Sequence, residues 1–333
     1  MTRDNRRPRM LWRASLGFGI LALTLVAGAG AEAAEQPVKV NFARLSFPSH
    51  VAMITDIVKE QGFDKKHGLD VNLVSFGAVS AFYGAQASGE ADAGIGGPLV
   101  YQKMRLEGAP IKVIATLVDM TSMVVIAKDP AVRSFADLKG KTIAADMGSS
   151  EYQVLTVYAK KKGIALGKDI TVVQANPPAA RTQLAAGRVD AAMTWEPSAT
   201  LTMRDNPAYR IIFNAKQGWR EITGKDGWLL VLGVNEAFLR RSPQSIPKLV
   251  ATFSDGARFM RSNPDDADRI VTKAINLPTG AFKEMVTTPR VVFEVRPTTE
   301  AAARESLWEV IKVAVDEGYF KDPVRDQSLL YVP

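Results

Sequence analysis

The feature that most constrains the fold is an internal echo. Ser88-Gly89-Glu90-Ala91-Asp92-Ala93 matches Ala186-Gly187-Arg188-Val189-Asp190-Ala191. Each follows a predicted helix and precedes a predicted strand. Each also lies downstream of a lysine pair and a glycine, Lys65-Lys66 with Gly68 and Lys161-Lys162 with Gly163. Glycine is the common residue just past a helix end, so one copy alone would mean little. Four features repeated in the same order point to two related lobes.

The segments between them set the lobe type. Val38–Phe42 alternates as a strand, Val51, Ile54, Ile57 and Val58 recur at helical spacing, and Leu69–Val74 reads as a strand again. Strand, helix and strand with short links make a βαβ unit and a parallel sheet. Ile111–Ala115 and Met123–Ala127 read as further strands. After Pro130, strand 142–145, helix 150–162, strand 170–173 and a helix from Pro178 repeat the alternation. From about Asn235 the chain turns helical. Ile246, Leu249, Val250, Phe253, Ala257 and Met260 form one apolar face, and Ala303, Leu307, Val310, Ile311 and Ala314 another. These helices are expected to pack on the first lobe. The chain then crosses between lobes twice, near 124–128 and near 229–235. The expected division is 34–126 with 234–333 for lobe one and 127–233 for lobe two. A cleft between hinged lobes is a preferred ligand site.

Residues 1–33 read as a cleaved export signal. Arg3, Arg6, Arg7, Arg9 and Arg13 precede Ala14–Ala31, a stretch without charge, and Ala31-Glu32-Ala33 fits the cleavage pattern. An uncleaved anchor is the alternative for an apolar run of this length. Arg6-Arg7 leaves twin-arginine export open beside the general route. Removing the segment takes away five Arg, Asp4 and Glu32, and lowers the formal charge of +7 to +4. The remaining cations alternate with acids and form no basic stripe interleaved with aromatics, which argues against nucleic acid. With no cysteine, the chain lacks thiol nucleophiles, Cys metal sites and a lipid-bearing N-terminus. His50 and His67 are the two histidines and have no helical ligand spacing, so no metal site is expected. A monomeric protein exported to a Gram-negative periplasm is the expectation.

Candidate contact residues cluster where predicted strands end. Asp146-Met147-Gly148-Ser149-Ser150-Glu151 joins a strand to a helix, so Gly148, Ser149 and Ser150 are candidates for an anion-binding helix end as well as for capping. Gly94-Ile95-Gly96-Gly97-Pro98 repeats that junction in lobe one, with Gly97 open to close backbone approach. Neither a P-loop nor a dinucleotide fingerprint occurs. Trp195 of Thr194-Trp195-Glu196-Pro197 can wall a pocket or fill a strand–helix corner. Glu196 can accept a hydrogen bond or balance an ammonium group. Arg44 and Ser46 follow the first strand. Arg44 is a candidate cation for an acidic head group, or one half of a salt bridge. Trp219 and Trp228 line the cleft or pack the hinge. No Ser/His/Asp arrangement and no carboxylate pair suggests catalysis.

At these loops the sequence resembles the nitrate/sulfonate/taurine-type periplasmic substrate-binding proteins of ABC transporters, a family that includes binders of thiamine-pyrimidine precursors. The resemblance spans roughly 38–319. It is carried by Gly89–Ala93 leading to Gly96-Gly97-Pro98, by Leu138–Ile143, by Gly148-Ser149-Ser150, and by Gly187–Ala191 leading to Trp195-Glu196-Pro197. It implies a type II periplasmic-binding-protein fold, an α/β architecture of two lobes on a two-crossover hinge. The small-molecule ligand would be passed to an inner-membrane ABC permease with its ATPase, without cofactor or catalysis. The family's pocket positions correspond to Ser46, Gly97, Gly148, Ser149 and Trp195. Many sulfonate binders carry an aromatic after W-[DE]-P, where this chain has Ser198. The expected ligand is a sulfonate- or taurine-like solute, or another small acid or zwitterion. The alternatives are a pyrimidine-type heterocycle or a role in presenting ligand to a sensor. Porphobilinogen deaminase and the eukaryotic pyrimidine-precursor synthase share the architecture but use cysteine, or a cysteine-rich segment with a donor histidine, that this chain lacks.

Overall fold

The computed structural model describes residues 36–320 and 327–332, so the expected export signal lies outside the described residues. Two five-stranded sheets organise the chain. The first is built from β1 (Val38–Leu45), β2 (Leu69–Phe76), β3 (Ala93–Gly96), β4 (Ile111–Asp119) and β10 (Trp228–Asn235), in the order β2-β1-β3-β10-β4. The second contains β5 (Met123–Ala127), β6 (Thr142–Ala145), β7 (Thr171–Gln174), β8 (Ala191–Trp195) and β9 (Arg210–Asn214), in the order β7-β6-β8-β5-β9. The orders superpose element by element. In each sheet three parallel strands are followed by one antiparallel strand, β10 or β5, which arrives from the other lobe.

That exchange corrects the expected lobe boundaries. Strand 123–127 pairs with β8 and β9, so it belongs to the second sheet rather than the first. Strand 228–235 pairs with β3 and β4, so most of it moves the other way. The crossings are the single helical turn Met120–Ser122 and the turn at 224–227. Both strands are buried along their whole length. An apolar run of this kind carries no mark of which sheet receives it.

The repeated motif has a structural purpose. Gly89 and Gly187 end their helices in the left-handed region, at φ 83° and 66°. Three residues on, Asp92 accepts from the Asn41 N–H at 2.9 Å while its own N–H donates to the Asn41 carbonyl at 2.8 Å. Asp190 does the same with Thr142, at 2.8 and 2.9 Å. Each aspartate thus extends the parallel pairing of the lobe's central strands with a side-chain bond.

Helices α1 (His50–Glu60), α3 (Val79–Ser88) and α4 (Pro98–Leu106) follow strands of the first sheet; α2 is the short turn Phe63–Lys66. Helices α5 (Ser150–Lys161), α6 (Pro177–Ala185), α7 (Ser198–Asp205) and α8 (Ala215–Thr223) belong to the second. The C-terminal helices α9 (Glu236–Arg241), α10 (Ser245–Ser262), α11 (Pro264–Ile275), α12 (Ala281–Thr287) and α13 (Ala301–Asp316) gather mainly on the first lobe, as the apolar faces require. Phe253 of α10 stacks on Phe42 of β1 with ring centroids 5.0 Å apart. Phe135, Tyr158 and Phe213 form the aromatic centre of the second lobe. Among the described residues no helix is long and apolar enough to cross a membrane.

Candidate functional site

The carboxyl ends of the parallel strands in both sheets face one another, the position where open α/β sheets take ligands. Two helices begin there in equivalent places. Ser49 caps α1 by accepting from the Ala52 N–H at 3.2 Å, and Ser149 caps α5 by accepting from the Tyr152 N–H at 3.1 Å. The next residues meet across the cleft. His50 opens α1, Ser150 and Glu151 open α5, and Tyr83 of α3 reaches over from lobe one. The Tyr83 and Ser150 hydroxyls are 2.7 Å apart, and the Gly97 N–H donates to the Tyr83 Oη at 3.1 Å.

At this contact lies a cavity of about 30 Å³ with apolar walls that include Leu45, Val79, Phe82, Ile95, Leu230 and Trp195, and with Ser49, His50, Tyr83, Ser149, Ser150 and Glu151 as its polar members. That volume holds about two waters. Val79 is shared with the outer cleft of about 460 Å³, between Phe47 and Gly77–Ser80 of lobe one and Asp146, Gly148 and Gln174–Asn176 of lobe two. An organic solute reaching the Trp195 wall therefore requires the lobes to part at Tyr83–Ser150 and close again around it.

The electrostatics are set by burial. His50 Nδ1 lies 3.9 Å from Glu151 Oε1, and both side chains are almost wholly enclosed. Desolvation lowers the His50 pKa to about 3 and raises that of Glu151 to about 8, so both are neutral at pH 7. The Glu151 shift is opposed by its own backbone N–H and the Ser149 hydroxyl, and reinforced by Asp146. Burial also pushes the Tyr83 phenol up. His50 Nε2 is buried without a hydrogen-bond partner.

The structure brings together Gly97, Gly148, Ser149, Ser150 and Trp195 of the residues expected from sequence. Gly97 is in closest contact with the opposite lobe, since a Cβ there would lie 2.3 Å from Ser150 Oγ. The helix end at 148–151 is not a free anion hole. The Gly148 N–H already donates to Asp146 Oδ1 at 3.2 Å, and Glu151 sets a carboxyl at the same turn. Arg44 lies outside the cleft: its guanidinium grips Asp56 at 2.5 and 3.2 Å, the salt-bridge alternative. Ser46 is exposed beside Gly77 and lines neither space.

Glu196 also faces away from the cavity. It accepts from the Thr200 N–H and hydroxyl, both at 3.0 Å, and burial raises its pKa to about 7 against the pull of Arg290. Trp219 is buried against the crossing, where a Cβ on Gly227 would lie 2.8 Å from its Nε1. Trp228 donates to Ser306 at 2.9 Å. Neither tryptophan lines the cleft.

His50, Tyr83 and Glu151 were not singled out as contacts from the sequence. The available signal was Ser49-His50 following the first strand, the counterpart of Ser149-Ser150-Glu151 after the first parallel strand of lobe two.

The family profile described as NMT1/THI5 like matches residues 48–267, well over half of the chain. The chain belongs to the NMT1/THI5-like family. Among relatives of this NMT1/THI5-like chain, a Brucella abortus (strain 2308) protein named as a binding protein, with no ligand in its name, is 26% identical over 67% of this chain and 68% of its own length. An Escherichia coli (strain K12) protein named for binding aliphatic sulfonates is 24% identical over 47% of this chain and 46% of its own. Solved structures agree with the type II periplasmic-binding-protein fold. The alkanesulfonate-binding protein SsuA of Xanthomonas axonopodis, solved with MOPS, has a TM-score of 0.73 at 19% identity, covering 90% of this chain and 99% of that one. The periplasmic aliphatic sulphonate binding protein SsuA of Escherichia coli has a TM-score of 0.69 at 18% identity, covering 89% and 93%.

Proposed function

We propose that this chain is the exported solute-binding component of an ABC importer, delivering a small organic molecule held between its lobes to an inner-membrane permease. The observation that carries this reading is the inter-lobe cavity itself. Two lobes of equal topology converge on it, two chain crossings allow hinge motion, and the Tyr83 and Ser150 hydroxyls bridge the lobes beside it. The periplasmic proteins of like fold support the same role, with residues 1–33 as the signal removed on export. Gly97, Gly148, Ser149, Ser150 and Trp195 are the proposed contact positions, joined by His50, Tyr83 and Glu151.

Ligand acts by differential contact. A solute touching both the α5 end and the lobe-one wall makes its full set of contacts only when the lobes are closed, so it shifts the population toward that state. The test is a thermal-denaturation screen of the exported protein against small solutes. A true ligand at 100 times its Kd adds about 2.7 kcal/mol of stability. Trp195→Ala is expected to remove most binding while the circular-dichroism spectrum stays unchanged. An unchanged affinity would take Trp195 out of the site. Turnover of a solute with no stabilisation by any would overturn the binding-protein reading.

A further inference from the structure

The charge of the solute can be read from what lines the cleft, given the binding role proposed above. Among the described residues lining the inner cavity or its outer mouth, none is lysine or arginine, and two are acids, Asp146 and Glu151. The sequence-level candidate for a cation, Arg44, is engaged by Asp56 outside both spaces. A sulfonate or carboxylate would meet two carboxyl groups and no compensating positive side chain. The α5 N-terminus offers it little, because Asp146 and Glu151 of the chain already stand at that turn.

A second, independent observation concerns His50. Its ring is 2% exposed and lines the inner cavity, and Nε2 has no partner. In the tautomer that carries its proton on Nδ1, 3.9 Å from Glu151 Oε1, the neutral ring presents Nε2 as a bare acceptor. A buried acceptor without a donor is costly, and an N–H group entering the cavity would satisfy it. Apolar side chains, among them Phe82, Trp195 and Leu230, make up most of the remaining wall and suit a ring or a short alkyl body, beside Ser49, Tyr83, Ser149 and Ser150.

We propose that the cleft selects an organic cation, an ammonium or amidinium group on a compact apolar body, whose N–H groups pair with the Glu151 carboxyl and His50 Nε2. Entry of the positive charge ionises Glu151, which releases its proton to solvent. The groups facing that carboxyl are His50 from α1, Tyr83 from α3 and Asp146 from the loop before α5. Burial disfavours a charged His50 and pushes the Tyr83 phenol up, so neither of these two takes up the proton.

The probes are benzylammonium and benzamidinium, with benzyl alcohol, benzoate and benzenesulfonate as matched neutral and anionic forms, titrated calorimetrically into the full exported chain at pH 7. The expected result is binding of the cations in preference to the anions, with about one proton released per cation, read from the dependence of the heat on buffer ionisation. Glu151→Gln, which replaces one neutral side chain by another, should lower cation affinity at least tenfold and abolish the proton release. His50→Leu should weaken binding yet keep the release, which a merely structural role for either residue would not produce. Tighter binding of benzenesulfonate or benzoate than of the cations would overturn the proposal, as would unaltered affinity in Glu151→Gln. Where no probe binds, the ligands found by the broad thermal screen decide. Cationic ligands uphold the proposal, anionic ligands overturn it while leaving the binding role intact, and stabilisation by no solute overturns the binding role as well.

Discussion

His50 and Glu151 give the folded state a pH dependence of unusual shape. Glu151 has a folded pKa of about 8, above its ordinary 4.5, so the folded protein holds the extra proton between those values and loses stability as pH rises through them. Glu196, at about 7, acts in the same sense over a narrower window. His50 opposes both: its pKa of about 3 lies below the usual 6.5, so the unfolded chain holds more protons there and stability rises with pH up to 6.5. Above 6.5 only losses remain, at about 1.4 kcal/mol per pH unit for each titrating group. Urea unfolding at pH 5, 6, 7 and 8 should therefore show a falling midpoint toward pH 8. In Glu151→Gln the fall between pH 7 and 8 should largely disappear. A wild-type midpoint that rises over that interval would contradict the neutral, buried carboxyl.

Gly97 makes a prediction of a different kind. An added Cβ would sit 2.3 Å from Ser150 Oγ and 2.4 Å from its Cβ, and the Ser150 Cβ, unlike a flexible chain end, cannot swing aside. Gly97→Ala should therefore disfavour the closed arrangement, enlarging the radius of gyration by small-angle scattering and weakening ligand binding. Adding Ser150→Gly should restore both. If the double variant stays open, the contact is not what limits closure.

At the scale of elements, the strands and helices were largely legible, and for an identifiable reason. Strands 123–127 and 142–145 have the expected bounds, and α5 differs from expectation by one residue at its end. Alternation, Ser49- and Ser149-type caps and glycine stops are local signals. What could not be read was anything decided by a partner distant in sequence. The sheet that receives β5 or β10 is one case. Arg44 is another, because Asp56 is one helix away and nothing in the sequence marks it as the partner. Glu196 is different: its partner Thr200 is only four residues on, and what the sequence leaves open is which way a residue at the end of a strand faces. The aspartate of the repeated motif shows the gap between finding a pattern and knowing its use. Asp190→Ala strands the Thr142 N–H and should cost about 1–3 kcal/mol in urea unfolding. Asp92 also pairs with Arg241 of α9 at 2.7 Å, so its removal affects a second contact.

For the molecule as a whole, the two sheets are joined through two short crossings, at 120–122 and 224–227. Gly227 sits where a Cβ would approach Met120 Cε at 2.6 Å and Trp219 Nε1 at 2.8 Å. Gly227→Ala thus overfills the joint between lobes and should lower stability by about 1–3 kcal/mol. Calorimetric unfolding checks this. A variant as stable as the parent would mean that the joint has slack. Elsewhere between the lobes, Arg204 of α7 bonds Glu284 of α12 at 2.8 Å, and Arg290 lies 3.4 Å from the Thr200 hydroxyl. Lobe two is thereby tied to lobe one by contacts other than Tyr83–Ser150.

The strand exchange has a consequence for how the chain is made. All five strands of the second sheet lie in one continuous stretch, from Met123 to Asn214, whereas the first sheet lacks its fourth strand until Asn235 has been added. A chain growing from its N-terminus therefore gains every strand of the later lobe before the earlier one can be completed. The strands translated first wait longest, with the slot between β3 and β4 unfilled, and it is the returning segment that finishes the lobe with which synthesis began.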